Sequence, residues 1–236
     1  MALSLETGIL SDLKSEDVEG YNYFKDQFDK LYEVLKTHEI KSDFKEPEDL
    51  DQEEVWSCQM YGYSGLHYLR ILAAHIWDEK KVIKPGNEDS DEDEAVEKYS
   101  EYFLKEESSI DVLFSKIGIN RNKRKLKFDH LLIHSDAEGF YIPVDFDEVI
   151  FNDEIAGGMV GSTFKLKAEL EVLAEWLELD FTLDIDSEEF WLLPEQQNKN
   201  KNKEKWKNFG IESHSCMNLL RACEESIKNK CAITFC

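Results

Sequence analysis

The sequence predicts an α+β fold in which several amphipathic helices pack on a small, mainly antiparallel sheet. Three observations carry this. Apolar residues recur at helical spacing before residue 106 and again over 163–179, and the centre from 128 to 146 is rich in aromatic and branched residues around a glycine-containing turn. The chain then closes on a short apolar run at 231–235. With 236 residues, 42% of them hydrophobic, it has the large side chains to bury roughly 70% of its unfolded surface. It reads as a single domain, 1–236, with a helix-rich part at 1–106 and a hairpin-containing α+β part at 107–236.

The first helix is expected over 15–39. Val18, Tyr21, Phe24, Phe28, Leu31, Tyr32 and Leu35 share a face, and Ser15 is placed to cap its start. Residues 43–54 are acidic, contain Pro47 and read as a connection. A second helix, 63–81, is apolar over so wide an arc that more than one of its faces must be covered. Trp56, Tyr61 and Tyr63 precede it, with packing as their default place. After a charged loop, Val96, Tyr99, Tyr102 and Phe103 mark a third helix over 94–105, followed by a short apolar element at 110–117 and a basic cluster from Arg121 to Lys127.

Residues 128–134 and 140–146, separated by Ser135-Asp-Ala-Glu-Gly139, are expected to form a β-hairpin, with a short strand at 149–151. Gly157-Gly158 and Gly161-Ser162 lead into a helix over 163–179, with Ser162 as its cap and Leu166, Leu170, Leu173 and Leu177 as its stripe. The glycine spacing does not match a phosphate-binding loop. Residues 181–185 and 190–193 read as edge strands, 196–207 as a polar loop, and the segment opened by Ser213 or Ser215 as a last helix before a strand at 231–235. The cysteines at 58, 216, 223, 231 and 236, four of them within the last 21 residues, include no Cys-x-x-Cys pair and read as buried free thiols of a reducing compartment.

Chemistry is concentrated at 130–138. On a strand His130 and His134 share a face that Asp136 would extend, and neutral imidazoles with a carboxylate can hold a divalent metal that activates water. The alternative is that Ser135 and Asp136 build the turn while the histidines fill half-buried positions. No nucleophile sits in a Gly-x-Ser-x-Gly elbow, and no cofactor is expected.

Net charge is the other signal. Lys and Arg number 28 against 51 Asp and Glu, leaving −23 at pH 7. Such a chain repels nucleic acid and anionic lipid and meets cationic surfaces quickly, so a basic protein partner is expected, with no nucleic acid and no membrane. Candidate contacts are Glu88, Asp89, Asp91, Glu92 and Asp93 in the charged loop, with His134, Asp136, Glu138 and Tyr141 at the hairpin.

Residues 63–70 and 134–146, with 157–162, resemble pieces of uncharacterised bacterial cytoplasmic proteins and, more loosely, small acidic immunity proteins of toxin systems. That resemblance implies a cytoplasmic, non-enzymatic protein that neutralises a basic toxin and carries over no catalytic residues. The second function class, a metal-dependent hydrolase centred on the 130–138 hairpin, rests on the two histidines and Asp136. Oligomeric state is left open.

Overall fold

The computed structural model describes residues 3–87, 94–108, 127–135, 137–197 and 204–236. Among these, ten helices surround one six-stranded mixed sheet, so the α+β expectation holds. The strands are β1 (Ser4–Thr7), β2 (Trp56–Gln59), β3 (Phe140–Ile142), β4 (Ile150–Phe151), β5 (Met159–Ser162) and β6 (Ile233–Phe235), in the order β2-β1-β6-β3-β5-β4. Every pairing is antiparallel except β3 with β5. β6 therefore joins β1 to β3, with Glu6 opposite Thr234 and Tyr141 opposite Ile233.

Helices cover both faces of the sheet. On β3, Phe140 and Ile142 pack with Val160 against α1 (Ile9–Glu16) and α2 (Val18–Thr37), where Phe28 and Leu31 meet them. Tyr141 points the other way, into the larger core formed with α3 (Gly62–Trp77), α6 (Thr163–Leu177) and α10 (Gly210–Asn229). Leu69, Leu170 and Ala222 are fully buried there. A strand covered on both sides needs no polar alternation, which is why 140–142 reads as an unbroken apolar run.

The cap of α2 lies two residues later than expected. Asp17 has extended backbone and its carboxylate accepts the N–H groups of Glu19 and Gly20, so Asp17 is the cap and α1 ends before it. Ser162 does cap α6, accepting from Lys165 N–H. α4 (Glu94–Ser108) and the strand at 150–151 also form where expected. The expected element at 110–117 and most of the basic cluster lie outside the described residues.

The expected hairpin is not formed. Its second arm is β3, but its first arm is a helical turn, α5 (Asp129–Leu132). A carboxylate from a distant element decides this: Glu169 of α6 accepts the N–H groups of His130 and Leu131 at 3.0 and 2.8 Å, satisfying the exposed donors of a helix start. Burial pushes the Glu169 carboxyl well above its usual range. Tyr99 of α4 locks the same turn, donating to Asp129 at 2.6 Å while accepting from Phe128 N–H at 2.8 Å.

The edge strands expected at 181–185 and 190–193 are also absent. Asp180 and Asp184 accept the N–H groups of Thr182 and Asp186, turning the chain twice, and Ser187 then caps α7 (Glu188–Trp191). α8 (Leu193–Gln196) and α9 (Lys205–Asn208) follow. α10 starts at Gly210, ahead of both serines; Ser213 lies buried within it and bonds the Trp206 carbonyl.

Candidate functional site

The two imidazoles hold the sheet to its helices. His130 Nδ1 accepts the N–H of Ser162 at 3.0 Å, so its proton sits on Nε2, which faces the Asp147 carbonyl at 3.2 Å. Both ring nitrogens are thereby used. His134 is fully buried between the carbonyls of Ser135 and Phe140, at 3.0 and 3.1 Å, and stacks on Tyr141 with ring centroids 4.0 Å apart. That stack requires glycine at 161, where a Cβ would fall 2.4 Å from the Tyr141 ring. Burial pushes both histidines down to about 4, so both are neutral at pH 7.

Tyr141 is likewise enclosed, its hydroxyl donating to the His130 carbonyl at 2.7 Å. Glu138 is exposed. Asp136, Glu88, Asp89, Asp91, Glu92 and Asp93 lie outside the described residues. Among the described residues, no three His, Cys, Asp or Glu side chains converge as metal ligands, and the lone pair that His130 would offer a metal is taken by Ser162.

Charge marks a different surface. From 128 to 198 the chain carries eighteen carboxylates and two cations, a net −16 of the total −23. The two cations are already engaged: Lys165 bridges Asp145 and Asp147 at 3.2 and 2.7 Å, and Lys167 bonds Glu171. The N-terminal third, residues 1–79, is less one-sided, with eighteen acids against seven Lys and Arg. There, acids stand beside lysines, as in Lys25 with Glu48 (2.7 Å), Lys30 with Asp26 (2.6 Å) and Lys36 with Glu33 (2.6 Å).

α6 presents the ordered part of this surface. Its apolar stripe faces the core, so Glu171 and Glu175 emerge on the opposite side about 6 Å apart along the axis, and exposed Glu178 follows at the helix C-cap. The line continues through exposed Asp180, Asp184, Asp186 and Glu188. Among the described residues, Glu175, Asp184, Asp186, Glu188 and Glu195 form no ion pair. Exposed Glu138, Glu148, Asp153 and Glu154 extend the uncompensated charge to the β3–β5 side.

A surface of ordered, uncompensated negative charge on a rigid scaffold is also what a nucleic-acid backbone displays. The family model described as "Putative DNA-mimic protein" matches residues 1–235. The chain belongs to this DNA-mimic family. No curated protein and no solved structure matches it. Membership overturns two expectations. The likeness to immunity proteins gives way to the DNA-mimic family, and so do the toxin-neutralising and hydrolase readings. Nor does the expected partnership stand as drawn: the family implies a DNA-binding protein, which brings nucleic acid into the function as the ligand imitated, where a basic toxin and no nucleic acid had been expected.

The magnitude suits a DNA mimic. Duplex DNA carries one charge per about 1.7 Å of axis, so the net −16 of 128–198, which counts buried Glu169, equals at most the charge of about 27 Å of duplex. α6 alone, at about 1.5 Å per residue, spans about 22 Å. The sequence signal for this surface was an absence: 168–198 contains ten acids and no Lys or Arg, a feature a search for dense acidic runs passes over. Among the described residues no helix is long and apolar enough to cross a membrane.

Proposed function

We propose that this DNA-mimic protein works as a decoy, occupying the DNA site of a DNA-binding protein with the carboxylate surface of 128–198. The single observation that supports the reading is the segregation of charge, eighteen acids against two engaged lysines in that stretch. Carboxylates accept the same charge-assisted hydrogen bonds that phosphate oxygens accept, so an array on a rigid helix satisfies arginine and lysine donors placed for a backbone. Exposed Glu138 adds a further carboxylate to it. The protein acts as one domain in the cytoplasm, in keeping with its free thiols.

The test immobilises the full chain, captures proteins from native lysate and elutes with duplex DNA at constant ionic strength. A decoy releases its partner to duplex in proportion to duplex concentration. Retention of every captured protein under saturating duplex overturns the reading.

A further inference from the structure

The carboxylate surface borders a groove of about 610 Å³, lined by both polar and apolar side chains, between β2, the turn at 181–186 and α10. Trp56 and Phe181 stand on its walls, and Met217 and Leu220 line it from α10. Phe181 is 68% exposed, more than any other exposed aromatic side chain among the described residues. Asp184 and Asp186 line the same groove with no ion-pair partner among the described residues. Arg221, also on the lining, is held by Glu225 at 2.6 Å, so it leaves the two aspartates uncompensated.

Neighbouring aromatic faces are treated differently. Lys205 sits 3.4 Å over Trp176 and Lys207 sits 4.8 Å over Trp206, so the chain supplies its own cations there. Among the described residues none lies over Phe181. An exposed ring beside two carboxylates that no cation neutralises, in a concavity, is complementary to a planar, weakly hydrated cation, which arginine provides and lysine does not. DNA-reading proteins commonly insert arginine where a narrow groove concentrates negative potential, and a carboxylate-walled slot offers the same combination.

We propose that this groove receives an arginine-bearing segment of the DNA-binding partner, with the guanidinium over Phe181 and Asp184 and Asp186 as its counter-ions. The inference rests on the decoy reading for the identity of the partner. The groove exceeds one side chain in volume, so part of the segment's backbone enters with it.

Calorimetry of the full chain with hexa-arginine and hexa-lysine peptides at about 0.15 M salt tests this. The wild type is expected to bind hexa-arginine at least about tenfold tighter, and Phe181→Ala to erase that preference. Asp184→Asn with Asp186→Asn should weaken hexa-arginine about tenfold, whereas Asp153→Asn with Glu154→Gln, an equal charge change elsewhere, should weaken it only about twofold. The Asp184→Asn change keeps the side-chain oxygen that accepts the backbone N–H of residue 186, and thermal melts confirm that each variant is folded. Equal affinity for the two peptides, or equal losses in the two double variants, overturns the groove and leaves a diffuse charged surface. Duplex elution is independent: if duplex fails to release the partner while the arginine preference persists, the decoy reading falls and the groove stands.

Discussion

Replacing Glu46 by glutamine should remove much of the protein's sensitivity to alkaline pH. Glu46 is 5% exposed; one carboxyl oxygen accepts the N–H of Ala232 at 2.7 Å and the other has no partner. Burial, reinforced by nearby Glu6, pushes its pKa from 4.5 to about 8. The folded chain thus keeps a proton that the unfolded chain releases, so stability is full below pH 4.5 and falls as pH rises towards 8. At 1.36 kcal/mol per pH unit, the loss between pH 5 and pH 8 is about 3.5 kcal/mol. Glutamine keeps an acceptor for Ala232 and cannot ionise. Urea unfolding followed by tryptophan fluorescence at half-unit steps from pH 5 to 8.5 gives both curves. Glu6 and Glu212, raised to about 7, contribute to each, so the difference between the curves belongs to Glu46. Parallel curves for wild type and E46Q would refute the reasoning.

The histidines set the acid limb. His130, His134 and His214 are held at about 4 against 6.5 when unfolded, so their contribution is full above pH 6.5 and is lost as pH falls towards 4. With the carboxylates acting in the opposite sense, urea midpoints should peak between pH 5 and 7; a steady rise from pH 4 to 8 would contradict this. His130→Phe strands Ser162 N–H and the Asp147 carbonyl and should cost about 2–4 kcal/mol by urea unfolding, with added chelator leaving wild-type stability unchanged. Gly161→Ala drives a methyl into Tyr141 and should cost about 1–3 kcal/mol, seen as a lower melting temperature. Glu175→Gln, Glu178→Gln, Glu188→Gln and Glu195→Gln together should weaken capture of the DNA-binding partner at least about tenfold while changing stability by no more than about 0.5 kcal/mol per site.

Long amphipathic helices were legible because their period persists over several turns: α2, α3, α4 and α6 all fall within the ranges their apolar stripes mark out, apart from one to three residues at an end. β1 and β2 were not legible, since four residues each carry too little alternation to register. The first arm of the supposed hairpin was misread for a different reason. Leu131-Leu132-Ile133 suits strand or helix equally, and Glu169, 39 residues from His130, supplies the bonds that select the helix. The two histidines drew attention because catalytic and structural imidazoles look alike until both ring nitrogens are traced to their partners. The carboxylate surface was hidden in plain composition, its meaning lying in where lysine and arginine are missing and in how the remaining lysines are spent.

The seam between β1 and β6 has a kinetic consequence. The Thr234 hydroxyl bonds the carbonyl of Glu6 across 228 residues, so the middle of the sheet closes only after nearly the whole chain has been gathered. Such non-local pairing is slow, and until it happens β1 and β3 each show an open edge to other molecules. A coat of like charge keeps copies of the half-made chain apart during that wait. The carboxylates that would hold a DNA-binding protein in the finished fold thus also guard its assembly.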